Sequence, residues 1–204
     1  MTKTVVEAYI DKHKQLIILL SGFSGSGKTV LGKSLSKDFK IDFINLNDYY
    51  KEDWNETIEI ENNKVVDWDS PNAIDWDKLN EYVSKKKNKG LIISGFSFPQ
   101  NKLSFKSDFH IHLKISKDDL IKNRNEYVAE KEDSKVSQLD DEMARRILNK
   151  ISYPHYMKSL EDSYINKFIS VKSGQESLKE TYSTMFDYLI ENLNQKFLQE
   201  HLNY

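Results

Sequence analysis

The residues best suited to chemistry stand near the N-terminus, with the spacing of a loop that binds nucleotide phosphates. Gly22, Gly27, Lys28 and Thr29 fit the pattern G-x-x-x-x-G-K-[ST]. Glycines in such a loop let backbone N–H groups point at phosphate oxygens, and the following helix adds the positive end of its dipole. The lysine would reach the terminal phosphates, and the threonine hydroxyl would ligate Mg²⁺. The predicted ATP contacts, which we call the glycine loop, are Gly22, Ser24, Gly25, Ser26, Gly27, Lys28, Thr29 and Val30.

The elements on either side of the glycine loop match the context that this pattern requires. Leu16–Leu20 is an uninterrupted apolar run of strand length, and residues 28–38 have a helical pattern. A continuous apolar strand is typical of a parallel sheet covered on both faces. Pattern, context and position therefore favour phosphate binding over a glycine-rich turn that merely joins a strand to a helix.

Strand-like and helical stretches alternate along the rest of the chain. Further strands are predicted at 41–46, 91–94, 109–115 and 168–171, and further helices at 75–87, 118–130, 139–151 and 176–198. Tyr153-Pro154 should break or kink the helix before it, and Asn62-Asn63 should form the turn of a hairpin. Alternation of this kind predicts an α/β protein of the P-loop NTPase fold, with a parallel sheet of about five strands and helices on both faces. We expect a single P-loop domain over 1–204, with a small β-hairpin inserted at about 55–68 and a helical lid at about 125–150.

Composition argues against several classes of protein. The 204 residues have a net charge of −2, so the basic surface expected of a nucleic-acid-binding protein is missing. There is no cysteine, which excludes a disulfide framework and a cysteine-based zinc site. The apolar runs are too short to span a bilayer, and the N-terminus lacks the apolar core of a signal peptide. We therefore expect a cytoplasmic protein with no nucleic-acid partner and no membrane partner.

Four stretches, in order, resemble the P-loop nucleoside kinases of the uridine kinase and nicotinamide riboside kinase group. They are the glycine loop, Asn47-Asp48-Tyr49-Tyr50-Lys51, Asp67-Trp68-Asp69-Ser70-Pro71-Asn72-Ala73-Ile74-Asp75, and Leu91-Ile92-Ile93-Ser94-Gly95-Phe96. The third stretch is the most specific, because it is similar to the family's Asp-x-Pro-x-Ala-x-Asp run. The resemblance covers residues 16–98. Beyond residue 115 it rests on topology, apart from a weak match at residues 153–158.

The resemblance implies transfer of the γ-phosphoryl group of ATP, with Mg²⁺, to the 5′-hydroxyl of a nucleoside or riboside. Asp69 falls where the family holds the ribose hydroxyls, and a carboxylate accepts two such hydrogen bonds well. Aromatic side chains would flank a flat base or a pyridinium ring, with core or hairpin packing as the alternative for each. These aromatic candidates are Tyr49, Tyr50, Trp68 and Phe96.

Two departures from the family pattern concern the proton acceptor and the metal. The family's catalytic Asp position falls on Asn47, with Asp48 one residue later, and an amide cannot accept a proton as a base. Ser94 stands where the family has a Glu that helps to hold Mg²⁺. The catalytic candidates after the second strand are therefore Asn47 and Asp48, and the metal candidates are Thr29, Asp48 and Ser94.

Arginines in the second half of the chain are candidates for a clamp on the transferring phosphoryl group. The resemblance matches Arg124 best, on the helix after the fourth strand, while Arg145 and Arg146 would contact the nucleotide from the next helix. The alternative for each is a surface salt bridge with a nearby acidic residue. His110 and His112 face one way on a strand, and without a third ligand an ordinary packing role is favoured over a metal site.

Two other functions stay open beside a riboside kinase. The departures at Asn47 and Ser94 suit a divergent, weakly active or inactive nucleotide-binding protein that acts as a regulator or binding partner. A GTPase or motor-type NTPase is the weakest alternative, because no Asn-Lys-x-Asp guanine motif is found. The sequence leaves open whether the acceptor is uridine, cytidine, nicotinamide riboside or another riboside, and which oligomeric state the protein adopts.

Overall fold

The helices and strands follow the alternation that the sequence predicts. The computed structural model describes residues 3–119, 141–172 and 175–202. The strands are β1 (Ile17–Gly22), β2 (Asp42–Asn45), β3 (Thr57–Ile60), β4 (Asn63–Val66), β5 (Leu91–Gly95), β6 (Phe109–Ile115) and β7 (Lys167–Val171). The helices are α1 (Val5–His13), α2 (Lys28–Phe39), α3 (Trp76–Lys86), α4 (Asp141–Ile147), α5 (Tyr153–Glu161) and α6 (Gln175–Leu202).

Five strands form one parallel sheet in the order β2-β5-β1-β6-β7. The central strand β1 pairs with β5 from Ile17↔Leu91 to Ser21↔Gly95, and with β6 on its other edge. All residues of β1 are buried, as its continuous apolar character predicts. The predicted α/β fold with a parallel sheet of about five strands is therefore confirmed.

Successive residues of β1 are buried in separate apolar clusters on opposite faces of the sheet. Ile18 and Leu20 pack with residues of α1, α2 and α6, whereas Ile17 and Leu19 pack with residues of α3 and with Phe98. This division follows from the two-residue period of a strand. Both cores therefore hold the strand that ends in the glycine loop.

The predicted hairpin is present, but its turn lies one residue earlier than expected. Strands β3 and β4 pair antiparallel, and Ile60 faces Asn63 across the turn. The turn residues are Glu61 and Asn62, with φ of 50° and 68°, which is the left-handed conformation that a tight two-residue hairpin turn requires. Ile60 is buried, and a slip of one residue would turn it to solvent. Burial of Ile60 thus fixes the register, against the Asn-Asn signal.

The helical segment around Pro154 continues where the sequence predicts a break or kink. A π-helical turn, Leu148–Ser152, joins α4 to α5, and Pro154 lies in the first turn of α5. The π-helical turn directly before Pro154 departs from regular α-helical pairing, which accommodates a residue that lacks an N–H. The predicted helix at 118–130 and most of the predicted lid lie outside the described residues. Among the residues that the structure describes, no helix is long and apolar enough to cross a membrane.

Candidate functional site

The glycine loop joins the buried end of β1 to the first turn of α2. Gly25 and Gly27 have φ of 88° and 82°, in the region that favours glycine. A Cβ atom on Gly27 would also lie 2.4 Å from Leu178 Cδ2. Gly27 is the N-cap of α2 and has no side chain to cover the first N–H groups, so a bound anion can accept hydrogen bonds from them.

Lys28 lies inside this loop with its charge partly desolvated. Its Nζ donates a hydrogen bond to the carbonyl oxygen of Phe23 at 3.1 Å. Burial lowers the pKa of Lys28 to about 8, and the negative charge of Asp69 opposes that shift. An anionic group bound in the loop would stabilise the ammonium form further, as Asp69 does, so the site favours a phosphate.

Two buried serine hydroxyls at the same edge of the sheet suggest a missing ligand. Ser26 and Ser94 are fully buried, and within the described ranges their Oγ atoms have no hydrogen-bond partner. Ser94 lies beside Leu20 in the pairing of β5 with β1. Because an unsatisfied buried hydroxyl destabilises a protein by about 1–3 kcal/mol, a bound ligand or ordered water is expected at each.

These residues offer hydrogen-bond donors to a phosphate and hydroxyl oxygens to an associated Mg²⁺. The loop supplies N–H donors and the Lys28 ammonium, while Thr29 and Ser94 supply hydroxyl oxygens, which Mg²⁺ accepts as ligands or as partners for its water. In the described part of the chain, no group of three or more His, Asp or Glu side chains is placed to hold a metal. A magnesium ion here would therefore take most of its ligands from phosphate and water.

A shallow cleft, open to solvent, collects most of the predicted acceptor-binding residues. Its lining includes Asn47, Tyr50, Trp68, Asp69, Trp76 and Phe96. The rings of Tyr50 and Trp68 meet edge to face with centroids 5.5 Å apart. Trp68 is 47% exposed, unusual for so large an apolar ring, and it adjoins the Asp69 carboxylate. The cleft thus combines aromatic surface with a hydrogen-bond acceptor.

Backbone pairing decides which tyrosine faces the cleft. Lys51 donates to the carbonyl of Ala73, and Asp75 donates to the carbonyl of Tyr49, so residues 49–51 run antiparallel to residues 73–75. The Tyr50 ring lines the cleft, and burial, with the charges of Asp69 and Asp67, raises its pKa to about 12. The neighbouring Tyr49 ring packs in the core against α3.

Two candidates from the sequence therefore lie outside the cleft. Tyr49 ends a 3-10 helical turn, and its ring is buried in the core, so the structure does not place it in the cleft lining as its assignment to substrate binding expects. Asp48 is exposed and does not line the cleft, whereas Asn47 does. Of these two residues, Asn47 and not Asp48 therefore lines the cleft.

The two carboxylates flanking Trp68 are held by residues that the sequence analysis did not single out. Ser152 Oγ donates to Asp69 Oδ2 at 2.5 Å, and His155 Nε2 lies 2.8 Å from Asp67 Oδ2. Asp67 is buried, and its Oδ1 has no hydrogen-bond partner among the described residues. The weak family match at residues 153–158 was the only sequence signal for this contact.

His110 and His112 belong to a buried hydrogen-bond chain beneath the glycine loop. His110 Nε2 and His112 Nδ1 both contact Ser21 Oγ, at 2.6 and 2.7 Å. His112 Nε2 contacts the Tyr156 hydroxyl at 2.8 Å, and His110 Nδ1 contacts the carbonyl of Tyr164 at 2.8 Å. Burial lowers the pKa of His110 to about 4 and that of His112 to about 3. These contacts agree with the packing role favoured from the sequence.

The structure describes two of the three arginine candidates. Arg146 pairs with Glu61 in the hairpin turn and with Glu142, and Lys150 lies 3.8 Å from Glu61. Arg146 thus adopts the salt-bridge alternative. Arg145 is exposed, and Arg124 is not among the described residues.

Comparison with solved structures identifies the fold. A protein of Silicibacter sp. TM1040, provisionally described as a fructose transport system kinase, is 12% identical with a TM-score of 0.55, covering 82% of this chain and 100% of its own. A gluconokinase from Sinorhizobium meliloti 1021 is 14% identical with a TM-score of 0.53, covering 89% of this chain and 97% of its own. Shikimate kinase from Acinetobacter baumannii, in complex with shikimate, is 18% identical with a TM-score of 0.53, covering 90% and 98%.

Sequence comparison adds no closer relative. No protein-family model matches the chain, and a search of curated proteins found no significant match. At these low identities the structural likeness concerns the fold and not the substrate. The chain has the P-loop NTPase fold that these kinases share.

Proposed function

We propose that this protein is an ATP-dependent kinase that phosphorylates the 5′-hydroxyl of a nucleoside or riboside. The observation that carries the proposal is the adjacency of two half-sites. Lys28 of the glycine loop lies close enough to Asp69 for the carboxylate to influence its pKa, and Asp69 lines the aromatic cleft. A phosphate donor in the loop and a hydroxyl-bearing acceptor in the cleft would therefore meet at one edge of the sheet.

Each half-site has the groups that its ligand requires. The glycine loop and Lys28 would hold the phosphates, and Thr29 with Ser94 would hold Mg²⁺, which neutralises charge on the phosphates. Asp69 can accept hydrogen bonds from vicinal ribose hydroxyls. Trp68 and Tyr50 offer ring surface to a flat base, with extra attraction for a cationic ring such as a pyridinium.

The structural relatives support the coarser part of this proposal. Two of them are described as a gluconokinase and a shikimate kinase, so the fold serves phosphoryl transfer to small hydroxyl compounds. The choice of a riboside rests on Asp69 and the aromatic cleft, together with the sequence resemblance at residues 67–75.

We expect turnover to be slow because Asn47, and not Asp48, lines the cleft. An amide can accept a hydrogen bond from the acceptor hydroxyl but cannot take its proton. Phosphoryl transfer has a loose transition state in which positioning and charge neutralisation dominate, so loss of the base slows the reaction without abolishing it.

The experiment is a riboside panel combined with an Asp69 variant. Uridine, cytidine, nicotinamide riboside and their 2′-deoxy analogues are incubated with ATP and Mg²⁺, and phosphorylated product is measured by mass spectrometry. Asp69→Asn should lose riboside phosphorylation, because it removes a hydrogen bond to a ribose hydroxyl. The affinity for ADP should change by no more than about threefold. The matched control is Asp77→Asn, an exposed carboxylate on α3. Equal loss of nucleotide and riboside binding would show that Asp69 only supports the fold.

A nucleotide-binding protein without kinase activity is the second candidate. The neutral pair Asn47 and Ser94, at the positions expected to hold the base and the metal, favours it. The same panel separates the candidates: ADP·Mg²⁺ binding with no product from any riboside above the background of Lys28→Ala would select the second.

A further inference from the structure

Ser152, His155 and Tyr156 lie within one helical turn at the junction of the π-helical turn and α5. Their spacing of three and four residues places them on neighbouring positions of one helix face. Each contacts a different part of the candidate site. We call these three residues the bridging face.

Ser152 and His155 hold the acceptor side of the site. They bond to Asp69 at 2.5 Å and to Asp67 at 2.8 Å, the residues on either side of Trp68. The carbonyl of Asp67 also accepts a hydrogen bond from Trp54 Nε1 at 2.9 Å, which fixes this segment from its other side. The orientation of the cleft carboxylate and of the neighbouring indole therefore depends on where the bridging face lies.

Tyr156 holds the nucleotide side. Its ring packs on Phe23 with centroids 5.2 Å apart and on Phe96 with centroids 6.0 Å apart. Phe23 is the loop residue whose carbonyl accepts the hydrogen bond from Lys28. A shift of Tyr156 would therefore move the backbone group that positions the lysine, as well as the Phe96 ring in the wall of the cleft.

The buried hydrogen-bond chain links the Tyr156 hydroxyl to β1. Because the Tyr164 carbonyl only accepts, His110 Nδ1 carries a proton, and neutral His110 accepts from the Ser21 hydroxyl at Nε2. Ser21 then accepts from His112 Nδ1, which leaves His112 Nε2 to accept from the Tyr156 hydroxyl. Every donor has an acceptor, so this chain ties α5 to the residue immediately before Gly22.

We infer that the bridging face couples the two half-sites, so that nucleotide and acceptor each tighten the binding of the other. The inference rests on the proposed function, because it needs an acceptor in the cleft. An acceptor that bonds to Asp69 orders the Ser152 contact and thereby α5. The ordered helix holds Phe23, and through it Lys28, in place for phosphate. Ser152, His155 and Tyr156 are positioning residues, since they act through Asp69, Asp67 and Phe23.

The test is calorimetric titration of ADP·Mg²⁺ into the full-length protein, with and without the riboside that the wild type phosphorylates best. In the wild type the riboside should tighten ADP binding by about fivefold or more, and ADP should tighten riboside binding by the same factor. Tyr156→Phe, which removes the hydroxyl from His112, should bring this factor close to one. Tyr164→Phe is the matched control: its side chain is exposed, and only its backbone joins the chain.

The acceptor end of the bridging face provides a second set of variants. His155→Ala should reduce the coupling factor, and His155→Gln should restore it, because the glutamine amide can still donate to Asp67. If Tyr156→Phe does not fold, Ser152→Ala gives the same measurement with a smaller change. A purely structural role would weaken both ligands equally and leave the coupling factor unchanged.

The outcomes separate this inference from the proposed function. Independent binding of ADP and riboside in the wild type, or coupling that survives Tyr156→Phe and His155→Ala, would overturn the inference while leaving a riboside kinase in place. A wild type that binds ADP·Mg²⁺ but no riboside would overturn the proposed function, and the inference with it.

Discussion

Acidification should destabilise this protein through its buried histidine pair. In the folded state burial lowers the pKa of His110 to about 4 and that of His112 to about 3, because both imidazoles, on β6, are almost completely buried. In the unfolded chain each histidine has a pKa near 6.5. Between these values the unfolded state binds more protons than the folded state. The contribution of the two neutral histidines to stability is therefore fully present above about pH 6.5 and is lost as the pH falls below this value.

The size of the effect follows from these pKa values. A pH of 5 is about 1.5 units below the pKa of each histidine in the unfolded chain, whereas in the folded protein both imidazoles stay neutral at this pH. This difference in proton binding corresponds to roughly 2 kcal/mol for each histidine. The pair should lower the free energy of unfolding by roughly 4 kcal/mol between pH 7 and pH 5. That is a large fraction of the roughly 5–15 kcal/mol typical of a folded domain.

The assay is urea unfolding followed by circular dichroism at pH 7 and pH 5. His112→Gln removes one of the two titrating groups, so its loss of stability over this interval should be smaller than that of the wild type by about 2 kcal/mol. Other titrating groups contribute equally to both proteins and cancel in the comparison. Equal losses in the two proteins would refute the reasoning. So would an NMR titration of the folded wild type in which His110 or His112 gains a proton near pH 6.5.

Three further outcomes are expected at the site. Gly27→Ala should weaken ADP binding about tenfold, because the left-handed conformation costs an alanine about 1–2 kcal/mol and its Cβ would meet Leu178. An unchanged dissociation constant for ADP in calorimetry would contradict this prediction. Asn47→Asp should raise kcat at least about tenfold by supplying a base in the cleft, and a steady-state assay with an unchanged kcat would show that Asn47 does not face the acceptor hydroxyl. Trp68→Ala should raise the KM for the riboside about two- to tenfold, with little change in Tm, since this exposed ring contributes contact and not core packing; a fall in Tm without a change in KM would reverse that assignment.

Local patterns predicted the fold well because they report directly on burial. The apolar run at Leu16–Leu20 predicted a strand of a parallel sheet buried on both faces, and β1 is fully buried in the middle of that sheet. The alternating run at 109–115 predicted β6 with its observed bounds. Where the sequence misplaced a feature, a tertiary contact overrode the local signal, as burial of Ile60 did at the hairpin turn.

The candidate site was predicted less completely because it joins distant parts of the chain. Residues of the cleft stood out by type and spacing, and five of them, Asn47, Tyr50, Trp68, Asp69 and Phe96, line it together. The contacts of Ser152 and His155 with Asp69 and Asp67 span more than eighty residues, and a serine and a histidine on a helix have no local pattern that announces them. The sequence could not show which of the adjacent residues Tyr49 and Tyr50 lines the cleft. In the structure Tyr50 pairs with Ile74 and lines the cleft, whereas Tyr49 is buried in the core.

The pairing of β1 with late strands has a consequence for how the protein is made. Contacts between residues far apart in sequence form slowly, because the chain must close long loops before pairing stabilises them. Strand β1 leaves the ribosome before its partners β5 and β6, which begin at Leu91 and Phe109. The sheet around the glycine loop therefore cannot be completed until both partners have been synthesised. A nucleotide that binds this loop would therefore stabilise the folded protein against unfolding, but it would not assist the earliest steps of folding.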